Sequence, residues 1–279
     1  MNKFKRIFEK ITAKLYCLGL PSQTSTSLSD NQSYPQVCLD AANNFRYFNK
    51  FRRNPIYMAI VETVSFDIGR KYLDFLLKHG DILNIEELKK NDKWGGTIES
   101  YYPEIGEISP TTLRYIKVVA DLRKYFSNLD KLEICEIGIG YGGQCRIIDS
   151  VFSPSSYCLV DIHPALLLSK RYLDNYVLNA VLEFRTMNEL GYKTYDLCLS
   201  NYAFSELPRS IQDVYLKKVI LNSKKGYITY SENFTPLSFN SYKVEELLKI
   251  IPGSVKVAEE PVTGPNVIIL WGIDKNYEY

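Results

Sequence analysis

Histidine is scarce: His79 and His163 are the two in 279 residues. That scarcity removes metal sites built on several imidazoles and argues against a Ser/His/Asp hydrolase, so carboxylates must carry most acid–base work. The six cysteines (Cys17, Cys38, Cys135, Cys145, Cys158 and Cys198) contain no C-x-x-C pair and fall mostly inside apolar runs. Neither a disulfide framework nor a zinc site is indicated, and a reducing, cytoplasmic setting is expected. No stretch reaches the roughly 18 to 20 uninterrupted apolar residues of a membrane-spanning helix. The first apolar positions are broken by Lys10 and Lys14, unlike a signal-peptide core. Formal net charge is only +2 and no dense basic stripe interleaved with aromatics stands out, so nucleic acid is not an expected partner.

What is present suits an ordinary folded chain, with 46% hydrophobic and 24% charged residues. Residues 3 to 18 set Phe4, Ile7, Phe8, Ile11, Leu15 and Leu18 at helical spacing against Lys3, Lys5, Arg6, Lys10 and Lys14. Residues 1–20 therefore read as a basic amphipathic helix. It is open to peripheral contact with the inner face of a membrane, to a partner, to packing on its own domain, or to removal as an organelle presequence. Residues 21–34, rich in Ser, Thr, Asn and Gln, read as a flexible linker.

Residues 35–129 read as a helical cap or substrate region, with helices over 36–52, 55–79 and 84–91. Pro55 suits a first turn, Gly80 a C-terminal cap, and Ser109-Pro110 opens a further helix to Phe126. Residues 130–279 change rhythm to strand, loop and helix. Strands are expected over LEICEIG, YCLVD, VLEFRT, YDLCLSN and GYITYS, with helices at 144–152, 164–177, 211–223 and 242–251. That alternation predicts an α/β, Rossmann-like, mostly parallel sheet. The last two strand-like runs, SVKVAEE and NVIILWGI, are joined only by PVTGP, too short for a parallel crossover. They should pair antiparallel and leave the last strand reversed.

The first strand of the alternation runs into Glu136-Ile-Gly138-Ile-Gly140-Tyr141-Gly142-Gly143, and the second ends in Asp161. Glycines allow a sharp turn and close backbone approach to a ligand, and an acid closing the second strand can accept both ribose hydroxyls. The letters also satisfy G-x-G-x-x-G, so an NAD-dependent oxidoreductase or epimerase competes. Two features favour S-adenosylmethionine. Glu136 would oppose a pyrophosphate but suits the ammonium of a methionine moiety, and the reversed last strand matches class I methyltransferases. The Tyr-x-x-x-Lys pair of an epimerase is missing after the fourth strand, where Tyr215 is followed at that spacing by Val219. A silent Rossmann-like module that only binds a partner is a third reading.

Four segments resemble the bacterial sugar O-methyltransferase family: ISPTTLRYIKVVADL (108–122), EIGIGYGGQCRII (136–148), LVDIHPALLLSKRYL (159–173) and SNYAFSELPRSIQDVYL (200–216). The glycine motif is general to class I methyltransferases, whereas SPTTLRY and SNYAFSEL are more specific. The resemblance implies methyl transfer to a sugar hydroxyl of a surface polysaccharide or its precursor; another small-molecule acceptor is the alternative. The family more often has Asp-Leu-Pro where this chain has His163, so that histidine is expected at the ribose edge or in solvent.

The expected cofactor contacts are Glu136, Gly138, Gly140, Tyr141, Gly142, Asp161, Ile162, Met187, Asn188 and Asn201. Thr111 and Arg114, with Thr112, open the helix before the first strand, where a positive helix end and a guanidinium suit the cofactor's carboxylate. Asn201, Tyr202, Ser205 and Glu206 follow the fourth strand, beside the expected methyl group. Glu206 is the first candidate base, Glu232 the second, and Tyr202 a further catalytic candidate. Trp94, Tyr101 and Tyr102 are open to stacking on a sugar, closing over the cofactor, or packing in the core. No metal is expected, since two scattered carboxylates make a poor site.

Overall fold

The computed structural model describes residues 33–81, 84–231 and 239–274. The expected helix at 1–20, most of the 21–34 linker and Glu232 lie outside them.

Nine strands are seen among the described residues. Strands β1 (Ser100–Tyr102) and β2 (Gly106–Ile108) form a small hairpin. The main sheet contains β3 (Glu133–Ile137), β4 (Ser156–Val160), β5 (Val181–Arg185), β6 (Tyr195–Asn201), β7 (Ser223–Ser231), β8 (Val255–Ala258) and β9 (Asn266–Trp271). Its order is β5-β4-β3-β6-β7-β9-β8. Five strands run parallel, and β9 lies reversed between β7 and β8, pairing antiparallel with both. The central strands are apolar because helices cover both faces. One apolar cluster joins the N-terminal helices to one face, and a second lies beneath helices Arg209–Lys218 and Val244–Ile250 on the other. The order reverses at β3, so the connections leaving the paired strands β3 and β6 run to opposite sides of the sheet, the switch point at which such sheets bind ligands.

The N-terminal half departs from the expected boundaries. Helix Ser33–Asn43 begins two residues before Pro35 and buries Tyr34, which takes Ser33 and Tyr34 out of the linker. The expected 36–52 helix breaks at Asn44, an extended residue whose side chain caps the single turn Phe45–Phe48. The expected 55–79 helix is two helices, Pro55–Ile60 and Phe66–His79, parted by residues 61–65. Val61, Thr63 and Val64 are β-branched, and Ser65 caps the second helix by accepting from the Ile68 amide. Helix Pro110–Phe126 has the expected ends, with Ser109 as its cap.

Candidate functional site

After β3 the backbone turns with positive φ at Gly138 (+79°), Gly140 (+55°) and Gly142 (+87°), and Gly142 caps helix Gly143–Val151. Gly138 N–H donates to the Val160 carbonyl at 2.8 Å, tying the loop to the end of β4. Asp161, the next residue past β4, accepts from the Gly140 amide at 3.2 Å and the Ile162 amide at 2.8 Å. Burial pushes its carboxyl up to about 6, against those amides and that of Ile139, which favour the charged form. Glu136 lies inside the sheet and accepts from the Tyr157 hydroxyl at 2.7 Å. Burial pushes it up to about 8; the Tyr157 bond pulls it down and the nearby Asp161 charge adds to the rise.

The loop after β6 packs directly on the glycine loop: a Cβ on Gly138 would lie 2.0 Å from Ala203 Cβ. Tyr202 has φ +69°, rare for a bulky residue and costing on the order of 1–3 kcal/mol. It is held at both ends. Its amide donates to the Thr229 carbonyl at 3.0 Å, and its hydroxyl to Glu259 Oε1 at 3.0 Å. Glu259 is buried and also accepts from the Thr263 hydroxyl and the Asn266 amide. A short turn, Ala203–Glu206, then brings Glu206 to the same opening. Burial pushes Glu206 up to about 7, with the Arg114 guanidinium pulling it down.

Arg114 donates to the Val61 carbonyl at 3.1 Å and the Thr63 hydroxyl at 3.3 Å, and its carbon Cζ lies 5.6 Å from the Tyr202 ring centre. It pairs with no carboxylate among the described residues, and its Nε is buried without a hydrogen-bond partner. The break at 61–65 thus delivers Val61 and Thr63 to the site. Val61 also stands 3.5 Å from where a Cβ on Gly140 would sit, with the Tyr57 hydroxyl at 3.9 Å. That hydroxyl and Asn201 Nδ2 are likewise buried and unpaired.

The expected residues therefore divide. Glu136, Gly138, Gly140, Gly142, Asp161 and Ile162 meet at the ends of β3 and β4, and Asn201, Tyr202, Glu206 and Arg114 adjoin them. Met187 is half-buried and Asn188 exposed on the turn just past β5. Two expected residues stand in other surroundings. Thr111 was expected where the helix end takes the cofactor's carboxylate, but that end already holds Asp92, which accepts from the Ser109 amide at 2.8 Å and the Thr112 hydroxyl at 2.7 Å. The Tyr141 ring is buried among Phe51, Tyr115 and Tyr172 with Arg52 over its face, so it anchors the loop to the cap and presents no side chain to a ligand.

Of the loop aromatics, Tyr102 is buried and stacked on Phe66, Trp94 packs near Phe48, and Tyr101 is exposed. His163 is exposed at the start of its helix. Among the described residues no group of three or more His, Cys, Asp or Glu is placed to hold a metal ion, and no helix is long and apolar enough to cross a membrane. Sequence reasoning missed Tyr57, Val61 and Glu259. The β-branched residues before Ser65 were the available signal for the helix break; Glu259, on an apparently ordinary strand end, had none.

By its strand order, with β9 reversed between β7 and β8, the sheet has the Rossmann-like arrangement of class I methyltransferases. No family model and no curated protein matches the chain, so the resemblance to sugar O-methyltransferases rests on its four segments. Among solved structures, the chain is similar to the magnesium protoporphyrin IX methyltransferase of Synechocystis PCC 6803 with bound SAH. The identity is 15% and the TM-score 0.43, over 56% of this chain and 80% of that one. It is also similar to a bacterial Hen1 methyltransferase domain, at 15% identity and TM-score 0.41, over 56% of this chain and 96% of that one. A third likeness is to phosphoethanolamine N-methyltransferase 2 of Haemonchus contortus in complex with S-adenosyl-L-methionine. There the identity is 16% and the TM-score 0.38, over 49% of this chain and 36% of that one. At these values the likenesses transfer no residue roles.

Proposed function

We propose that the chain is an S-adenosylmethionine-dependent O-methyltransferase acting on a sugar hydroxyl. The observation that carries the cofactor half is Asp161, a half-buried carboxylate knitted to the Gly140 amide at the ends of adjacent parallel strands. A ribose diol donating to it would relieve the burial that raises its pKa. Glu136 suits an ammonium, since a cation beside a buried carboxylate restores its charge. Arg114, a guanidinium without a carboxylate partner among the described residues, suits the carboxylate of the same moiety. When bound, S-adenosylmethionine supplies an electrophilic methyl group on a sulfonium.

The sugar half leans on the SNYAFSEL segment and on the chemistry of its loop. A sugar hydroxyl is a weak nucleophile at neutral pH, and Glu206, pushed up to about 7, is matched to accept its proton there. Tyr202, fixed at both ends, would orient the acceptor. Asn201 offers an unpaired Nδ2 donor for a sugar oxygen. The polysaccharide or its precursor, and a place at the cytoplasmic face of a membrane, belong to this same reading.

Thermal shifts with S-adenosylhomocysteine, NAD and NADP test the cofactor. S-adenosylhomocysteine alone should raise the melting temperature, and Asp161→Asn should weaken its binding by roughly 10- to 100-fold. Stabilisation by NAD instead would sink the reading. With an acceptor found by screening nucleotide sugars and oligosaccharides, Glu206→Gln should slow methyl transfer by about 10²-fold with unchanged cofactor affinity.

A further inference from the structure

Between Asp40 and Glu62 the chain carries Arg46, Lys50, Arg52 and Arg53 and no acid. Within that stretch, FRYFNKFRR is a short run of cations interleaved with aromatics, contrary to the expectation that the sequence holds no such stripe. Folding sorts it by side. Phe48 and Phe51 are buried, Phe48 meeting Trp94 and the Arg171 guanidinium, and Arg52 is fully enclosed with Glu62 and Asp92. The turn they anchor presents Phe45 at 62% and Tyr47 at 49% exposure, with Arg46, Lys50 and Arg53 exposed beside them.

None of these three cations has a carboxylate partner among the described residues. Lys50 rests over the Tyr47 ring at 5.7 Å, and Arg53 donates only to the carbonyls of Gly96 and Thr97. Those bonds, with Arg52 N–H to the Gly95 carbonyl at 3.1 Å, fix the turn against the 93–97 loop. Of the acids flanking that loop, Asp92 is enclosed with Arg52, and the exposed Glu99 lies within electrostatic reach of Arg53 without an ion pair among the described residues.

We infer that this turn is a docking surface for an anionic lipid bilayer. Two exposed aromatic rings on an anchored turn suit shallow insertion at the headgroup boundary, and cations without ion-pair partners among the described residues suit the negative surface potential of anionic lipid. A single-stranded nucleic acid would also find cations and rings here. The observations favour the bilayer, because Lys50 already lies over the Tyr47 ring on which a base would stack, and Phe45 is left exposed with no ring partner among the described residues. The basic amphipathic pattern of residues 3 to 18 repeats the same charge complementarity in the chain that precedes this turn. The inference is independent of the methyl-transfer reading.

Co-sedimentation of the full chain with phosphatidylcholine vesicles, with and without phosphatidylserine, tests it. Binding is expected only with phosphatidylserine, and it should fall with added salt. In the full chain, Arg46→Glu with Lys50→Glu should weaken partitioning by about 10²-fold, and Phe45→Ala with Tyr47→Ala should weaken it on the serine-containing vesicles. An unchanged melting temperature shows that each variant is folded. A charge-reversal effect below that of a single cation, about fivefold, would overturn the assignment and leave any binding to residues outside this turn. So would absence of vesicle binding, or displacement of the protein from vesicles by an oligonucleotide that discriminates wild type from variant in the same way.

Discussion

On the sheet side of the site, residues 133–271, the carboxylate at the glycine loop is met by backbone amides, Asp161 accepting from Gly140 and Ile162. On the cap side, residues 33–126, the enclosed Arg52 is met by side-chain carboxylates. Arg52 lies between Glu62 at 2.5 Å and Asp92 at 3.0 Å, and Asp92 in turn holds the start of helix Pro110–Phe126. The difference lies in what each side can tolerate. Backbone amides are present whatever the side chains, so the sheet side keeps its geometry through topology. Around Arg52 the cap keeps its geometry only while that buried cation and its two carboxylates stay together. Since Glu62 neighbours Val61 and Thr63, the same network sets the segment lying over Gly140 and Arg114.

Arg52→Ala is the sharpest way to break that contrast. It leaves Glu62 and Asp92 buried without their cation, and removal of one member of such a network costs about 3–5 kcal/mol. Denaturant midpoints should fall accordingly, and binding of S-adenosylhomocysteine should weaken as the 61–63 segment loosens. A loss under about 1 kcal/mol, the range of an exposed pair, would mean that apolar packing alone holds the cap.

A smaller effect separates two glycines two positions apart. Gly138 abuts the sheet side, where an added Cβ would lie 2.0 Å from Ala203 Cβ; Gly140 abuts the cap, where it would meet Val61 at an ordinary 3.5 Å. Both have positive φ, so both substitutions carry backbone strain. Gly138→Ala should cost about 2 kcal/mol or more and displace the 202–206 loop, whereas Gly140→Ala should cost about 1 kcal/mol. Calorimetric melts of the pair decide it. Equal losses would show that the β6 loop yields as readily as the cap.

The same contrast explains how much was legible in the sequence. The apolar runs of β3, β4 and β6, the glycine turn, Asp161 and the reversed β9 follow from local chemistry, and each stands where its own residues require. The cap's details depend on partners distant in sequence. Residues 55–79 carry a helical pattern throughout, yet the chain breaks at 61–65, where Glu62 joins Arg52 and the Val61 carbonyl and Thr63 hydroxyl meet Arg114. The helix end at Thr111 follows the same rule. Asp92, on a turn about twenty residues upstream, fills the helix end, and no local periodicity reveals it.

The smallest expected effect, a fraction of a proton, probes Glu136 on the sheet side. Its carboxyl rises from 4.5 to about 8 through burial, so the folded state binds this proton more tightly than the unfolded chain. The resulting stability is complete below about 4.5 and is lost as pH climbs through about 8. Asp161 and Glu206, raised to about 6 and about 7, tilt the profile the same way over lower ranges. Wild-type stability should therefore decline between pH 5 and 8 (about 5 to 8 on the carboxyl scale), and Glu136→Gln should flatten the upper part of that decline. An ammonium docking beside Glu136 would favour its charged form, so binding S-adenosylhomocysteine at neutral pH should release protons. Titration calorimetry in buffers of different ionisation enthalpy measures that release directly. It should be smaller in Glu136→Gln by the share that Glu136 contributes, leaving the share of Asp161. Proton uptake, or a release identical in the two proteins, would detach Glu136 from the cofactor's ammonium and leave it as a buried partner of Tyr157.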